Sequence, residues 1–396
     1  MTKDHHNLTR PHVGDGASSA SHGHAGTHKP DAANPLRLLF WESTSRCNLA
    51  CIHCRRQDVA EAAAAEDLST REAVRLFNSA ALLGKPVIVF SGGEPLTRSD
   101  WPELAAHVRG LQLPCAMATN GTLITPVVAD RVAASAFHRV SISLDGADAE
   151  THDEFRCLAG SFQRAVEGVR LLRERRVPVQ INATIAAHNL HQLEQLYALA
   201  RGLDACALHL FLLVPVGCGE HITESHQLSP HDYENVLEWV CQKQLELRRE
   251  FLLPPDANSD ARTACDSAHA ASAAFELRTT CAPHYYRLAA RHGLLQGNRS
   301  RGCLAGIGVI FVSHKGEVFP CGYLPVDCGN VRRTPLDKIW RDSTVLRELR
   351  DYSLLQGKCG QCEFRTVCGG CRARAYAQAH NYLAAEPFCD YQPGGR

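Results

Sequence analysis

The chain has 396 residues, 45% of them hydrophobic, enough for two or three domains with substantial cores. Lys plus Arg and Asp plus Glu balance at 42 each, which removes the charge argument for nucleic acid or an anionic membrane surface as partner. There is no apolar run of about eighteen residues and no apolar segment near the start, so neither a membrane span nor a secretory signal is expected. The expected location is the cytoplasm. Residues 1–34, rich in His, Gly, Ala and Ser without an apolar period, read as a disordered leader. From residue 35 strands and helices alternate. Strands are expected over 36–43, 85–95 (running into a turn), 113–121, 137–146, 177–185 and 207–215. Helices are expected over 69–84, 98–110, 126–135, 161–176 and 190–202, the first opened by a Ser/Thr cap and closed by a glycine. Six such repeats imply parallel strands with right-handed crossovers. They are too few for an eight-fold barrel. The expected fold is therefore α/β, a partial (β/α)6 barrel over 35–226 with its chemistry at the C-terminal strand ends. Residues 227–300 read as a mostly helical connector, and 301–396 as a Cys- and Gly-rich domain built around metal.

Eighteen cysteines in a chain without a signal sequence, many in C-x2-C spacing, favour metal ligation over disulfides. Cys47, Cys51 and Cys54 form C-x3-C-x2-C just after the first strand. Thiolates suit iron–sulfur clusters or zinc. A structural zinc would want a fourth nearby ligand, and His53 is poorly placed beside Cys54. A [4Fe–4S] cluster on three thiolates leaves one iron open to a small molecule. Further along, Gly92, Gly93 and Glu94 form a Gly-Gly-Glu-Pro turn after the second strand. The glycines permit close backbone approach, and Glu94 offers a carboxylate to an ammonium.

The triplet and this turn, with "ATNG" at 118–121 and "SISLDG" at 141–146, resemble the radical S-adenosylmethionine (SAM) superfamily. The resemblance implies a [4Fe–4S] cluster whose open iron chelates SAM, and a Gly-Gly-Glu-Pro turn that holds the methionyl amine. It also places Asn120 and Ser143 near the SAM ribose or carboxylate. The implied chemistry is reductive cleavage of SAM to a 5′-deoxyadenosyl radical, fed by a donor such as flavodoxin or ferredoxin. The C-terminal set resembles the SPASM extension, which holds one or two auxiliary [4Fe–4S] clusters: Cys303, Gly316 and Cys321, then Cys359, Cys362, Cys368 and Cys371, then Cys389. The last pair is spaced x2 where the family often has x3. By this resemblance Cys359, Cys362, Cys368 and Cys389 hold one cluster and Cys303, Cys321 and Cys371 the other. Cys281 and Cys328 are open alternatives for a fourth ligand, and a zinc ribbon over 359–371 is the competing arrangement.

Three stretches, "FLLVPVGCGEHI" (211–222), "TTCAPHYYR" (279–287) and "FPCGYLPVDCGNVR" (319–332), resemble the heme b synthases of the siroheme-dependent alternative heme pathway. Enzymes of heme d1 formation and didecarboxysiroheme processing share much of the pattern. A tetrapyrrole substrate, flat and tetra-anionic, would want guanidinium forks and aromatic walls. Arg287, Arg332, Arg333, Tyr285, Tyr286 and Tyr323 are expected near it, with His284 or Cys281 as iron ligand. A peptide substrate, as in many SPASM proteins, is the other reading.

Overall fold

The computed structural model describes residues 34–55, 65–252, 275–295 and 302–394. The leader through residue 33, and Cys265, lie outside the described residues.

Strand β1 is Leu38–Glu42, and helix α1 is Thr70–Ala81, opened by a capping box in which Ser69 and Glu72 satisfy each other's amides. Then come β2 (Val87–Ser91), α2 (Trp101–Gly110), β3 (Cys115–Thr119) and α3 (Pro126–Ala134). Thr125 caps α3 and a proline occupies its first turn. Next are β4 (Arg139–Ser143), α4 (Ala149–Arg156), α5 (Ser161–Glu174), β5 (Val179–Ile185), α6 (Leu193–Gly202) and β6 (Ala207–Leu212). The chain continues through α7 (Thr223–His226), α8 (Pro230–Leu252), β7 (Glu276–Thr280) and α9 (Tyr285–Arg291). It ends with β8 (Val309–Val312), β9 (Glu317–Phe319), β10 (Gly329–Asn330), α10 (Leu336–Asp342), α11 (Thr344–Arg350), α12 (Gly357–Gln361) and α13 (Arg372–Ala379).

All ten strands belong to one sheet, in the order β10-β9-β8-β1-β2-β3-β4-β5-β6-β7. The run from β8 to β7 is parallel throughout, and β9 and β10 turn back antiparallel at one end. The six expected repeats form the centre of this partial barrel, and one further parallel strand flanks each side. Strand β7 arises within the stretch expected to be mostly helical. Its sequence, ELRTT, has no apolar run because it lies at the sheet edge. Strand β8 pairs with β1 in register, Ile310 beside Leu39, so the C-terminal region is part of the barrel sheet as well as the housing of the later cysteines.

The outer face of the sheet packs on the helices. Trp41 meets Phe77 and Phe90 edge-on at 5.2 and 5.4 Å, and Phe90 meets Phe137 at 6.0 Å. The other face is different. Along β3 to β6 buried and half-buried positions alternate, and Ser143, Asn182 and His209, side by side in register, stay partly open. A parallel sheet normally buries both faces. A half-open polar inner face is what a barrel with a usable interior requires.

Candidate active site

The three cysteines of the triplet follow β1, at the C-terminal end of the sheet. The segment leading to them is fixed before it arrives: Ser43, Thr44 and Ser45 are buried, Thr44 Oγ1 donates to Asp67 at 2.6 Å, and the Ser45 amide donates to the same carboxylate at 2.9 Å. The Gly-Gly-Glu turn is sewn onto this segment. The Gly93 amide donates to Thr44 O at 2.9 Å and the Glu94 amide to Arg46 O at 2.7 Å. Gly92 has φ +124°, and a Cβ there would stand 2.8 Å from Thr44 O, so only glycine fits.

Glu94 is fully buried, and its carboxylate faces the chain. Oε1 accepts from Thr119 Oγ1 at 2.7 Å and Leu96 N at 3.0 Å, and Oε2 accepts from Asn120 N at 2.8 Å. Burial pushes its pKa up against these donors. Glu94 thus joins the turn after β2 to the turn after β3. Asn120 extends the link: its Nδ2 donates to Asn48 Oδ1 at 2.9 Å, and Asn48 sits between Cys47 and Cys51. Ser143 ends β4 on the inner face, beside Asn182.

Two residues not singled out from the sequence complete this end of the barrel. Asp145, from the "SISLDG" stretch, is 1% exposed and bound by Arg156 at 2.6 Å. Arg156 Nη1 also donates to Cys51 Sγ at 3.9 Å. Burial alone would raise the Asp145 pKa, but Arg156, His53 and His152 together hold it well below the usual carboxylate range. His53 stands 3.6 Å from Asp145 and stacks on Phe155 at 4.0 Å. The signal that could have found Arg156 is its place at the end of α4, eight residues on from Asp148, as the only Lys or Arg of that helix. The stretch 211–222 earns its distinctive sequence here. Cys218 N donates to Cys54 O at 2.8 Å, and a Cβ on Gly217 would stand 2.2 Å from Arg55 O.

The later cysteines form two groups. Cys359, Cys362, Cys368 and Cys389 line one cavity together with His284, Arg287, Lys358 and Glu386. Amides of Phe364, Gly370 and Glu386 point at the Cys362, Cys368 and Cys359 sulfurs at 3.4, 3.4 and 3.3 Å. The second group is Cys303, Cys321, Cys371 and Cys281. Burial drives the Cys281 thiol pKa up, and Cys371, Cys321 and Cys303 raise it further as neighbouring thiols. Cys371 is pushed up to about 11 by burial first, with Glu386 and Cys303 adding and Arg374 opposing. Cys328 stands apart, its thiol directed to Val326 O, so Cys281 is the cysteine that completes the second group. Cys51 in the triplet is likewise pushed up to about 11, by burial first, with Arg156 opposing. Buried thiols that raise one another's pKa fit a metal centre, which takes up their negative charge as they deprotonate. Among the described residues no three His, Cys, Asp or Glu side chains close tightly enough for a single metal ion.

Most of the residues expected at a tetrapyrrole have protein partners of their own. Arg287 is buried and bound by both oxygens of Glu234, one at 2.6 Å, and its guanidinium lies over the Tyr391 ring. His284 is buried 3.8 Å from Glu386, and Cys281 belongs to the second thiol group. Arg332 binds Glu72 at 2.9 Å and the Glu66 carbonyl at 2.9 Å, and Tyr285 binds Gln244. Cys281, His284 and Arg287 thus lie among the C-terminal cysteines, His284 and Arg287 lining the cavity of the first thiol group and Cys281 belonging to the second. Tyr323 has Cys281, Cys321, Arg55 and Asp145 among its charged or titratable neighbours.

Comparison with known proteins agrees with this geometry. Residues 41–200 match the radical SAM superfamily, and residues 303–363 match the SPASM iron–sulfur cluster-binding domain. The chain belongs to the radical SAM/SPASM family, an enzyme family whose members use a [4Fe–4S] cluster, SAM and auxiliary clusters. It is 42% identical over 372 residues to the AdoMet-dependent heme synthase of Methanosarcina barkeri (strain Fusaro / DSM 804), covering 91% of this chain and 98% of that one. It is 40% identical to the AdoMet-dependent heme synthase of Nitratidesulfovibrio vulgaris Hildenborough, covering 93% and 97%. Among solved structures, Streptococcus suis SuiB bound to its precursor peptide SuiA superposes with a TM-score of 0.67 at 17% identity, over 91% of this chain and 76% of that one. At that identity the likeness concerns the fold. No helix among the described residues is long and apolar enough to cross a membrane.

Proposed function

We propose that this enzyme oxidatively decarboxylates two propionates of iron-coproporphyrin III to vinyl groups, giving heme b. The observation that carries the reading is 42% identity, over nearly the full length of both chains, to an AdoMet-dependent heme synthase. In this reading Cys47, Cys51 and Cys54 hold the SAM-cleaving cluster. Gly92, Gly93, Glu94, Asn120 and Ser143 shape the SAM site. Cys359, Cys362, Cys368 and Cys389 hold one auxiliary cluster, and Cys281, Cys303, Cys321 and Cys371 the other.

With these groups bound, the site would supply a 5′-deoxyadenosyl radical able to take a hydrogen atom from the propionate β-carbon, ending as 5′-deoxyadenosine. Loss of carbon dioxide, with one electron passed to an auxiliary cluster as acceptor, would then leave the vinyl. The chain's part is placement and exclusion of water. Glu94 and Asn120 hold the turns that face SAM, and Asp145 fixes Arg156 beside Cys51. Arg55, which lies over the Phe311 ring at 4.0 Å, and Tyr323 offer a cation and a flat wall where the barrel mouth meets the second thiol group.

The test is anaerobic turnover of the reconstituted protein with SAM, a reductant and iron-coproporphyrin III, read by mass spectrometry. Two successive losses of the elements of formic acid, with 5′-deoxyadenosine formed, are expected. Deoxyadenosine with an unchanged porphyrin would move the substrate to a siroheme derivative or a peptide. Cys47→Ala should form no deoxyadenosine.

A further inference from the structure

Between the two thiol groups lies the densest buried charge in the C-terminal region. Arg372, Arg374, Glu386 and His284 are each 4% exposed or less. Glu386 carries the only carboxylate of the four, and Arg374 claims it: Arg374 Nε donates to Oε1 at 3.0 Å, while Oε2 accepts from the Cys371 amide at 2.6 Å. Arg374 also donates to Cys281 O. Arg372 is bonded otherwise. Its hydrogen bonds go to the carbonyls of Gly370, Tyr382 and Ala384 at 3.2, 3.0 and 2.8 Å, and to Cys359 Sγ at 3.7 Å.

The charge count is uneven: two buried guanidinium cations share one carboxylate. A buried charge without a counter-charge is costly; Arg372 has three carbonyl acceptors, and the one side-chain group it donates to is the Cys359 sulfur. Gly370 makes this approach possible. A Cβ there would stand 2.3 Å from Arg372 Nη2 and 3.2 Å from Cys359 Sγ. Cys359 therefore receives two N–H donors, one from the Glu386 backbone and one cationic. The other donors to this group, Phe364 and Gly370, are neutral amides.

We propose that Arg372 is a positioning residue that sets the reduction potential of the auxiliary cluster on Cys359, Cys362, Cys368 and Cys389. Its charge-assisted N–H···S bond makes that cluster easier to reduce. The proposal rests on the ligand assignment given above. Hydrogen bonds to cluster sulfurs and nearby charge are established levers on potential. A cation beside a ligand sulfur favours the state with the additional negative charge, so it raises the potential.

The test uses the full reconstituted chain and reads potentials and spectra. In wild-type protein carrying 15N-arginine, pulsed EPR of the reduced auxiliary clusters should show a weak 15N coupling on one of the two signals. No such coupling on either would overturn the contact. In redox titrations Arg372→Gln, at undiminished iron content, should lower one auxiliary midpoint and leave the others in place. The expected shift is about 59 mV, a tenfold change in the reduced-to-oxidised ratio of a one-electron couple. Arg372→Lys, which keeps the charge, should shift it less. Unmoved midpoints at full iron content overturn the proposal. If Arg372→Gln loses iron, Arg372→Lys decides: at full iron content it should lose the 15N coupling or weaken it and lower the same midpoint, and an unchanged coupling and midpoint overturn the proposal. Cys359→Ser separates the two layers: if it leaves iron content and every auxiliary signal unchanged, the ligand assignment fails, whatever Arg372 does.

Discussion

Glu42 shows how one buried side chain sets the pH range of the barrel mouth. It ends β1, accepts from Arg55 at 3.0 Å, and contacts His314 at 2.7 Å. Burial would raise its pKa, but Arg55 and His314 outweigh burial and lower it from 4.5 to about 2. A carboxyl whose folded pKa lies below its unfolded value stabilises the fold above the unfolded pKa. That stabilisation is lost as pH falls from about 4.5 towards 2. Its size is on the order of 3 kcal/mol, at about 1.4 kcal/mol per pKa unit. Denaturant unfolding of the metal-free chain should show this slope, and Glu42→Gln should flatten it. An unchanged slope would place the acid sensitivity in another group. Glu94 makes a second prediction at this scale. Because its carboxylate holds three donors from two turns, Glu94→Ala should weaken SAM binding at least tenfold and also lower the melting temperature. Equilibrium dialysis and a thermal scan of the same sample would check both.

At the level of single elements, the loop after β6 acts as a brace for the loop after β1. Gly217 has φ +60° and lies against the Cys54–Arg55 backbone, with no room for a methyl. Gly217→Ala should therefore reduce iron bound at the triplet while the auxiliary clusters keep theirs, as iron analysis with EPR would separate. Equal retention at both places would show that the brace is dispensable. Helix α1 offers a control remote from chemistry: Ser69→Ala removes its cap and should cost about 1 kcal/mol with SAM cleavage unchanged.

Much at this scale was legible in advance. The six central strands and their helices announce themselves through apolar runs, caps and glycine stops. The triplet and the Gly-Gly-Glu turn carry the resemblance to the radical SAM superfamily, and are readable because their spacing is local. What stayed hidden depends on distant contact. Strand β7 carries polar residues at a sheet edge, and β8 reads as part of another domain until its pairing with β1 is seen. Cys281 could not be chosen over Cys328 by spacing, because only folding brings it to Cys303, Cys321 and Cys371. Arg287 looked available for a carboxylate because nothing in the local sequence reveals Glu234, which is contributed by α8.

For the molecule as a whole, one continuous sheet makes the triplet and the C-terminal cysteines parts of a single body. Ile310 of β8 is fully buried against that sheet. Ile310→Ala should cost roughly 2–5 kcal/mol, and the loss should appear as one earlier unfolding transition in which both regions melt together. Two separated transitions would show that the regions are independent.

The pairing of β8 with β1 also bears on how the protein is made. The contact between His314 and Glu42 spans 272 positions of sequence. Until the ribosome has released residues past 312, the outer edge of β1 has no strand to pair with, and an open edge invites wrong partners. Cluster delivery to Cys47, Cys51 and Cys54 before that moment would meet a loop whose supporting strand is paired on one side only. The chain's order of synthesis therefore favours iron–sulfur loading after translation is nearly complete, on a barrel that its own last quarter has just finished building.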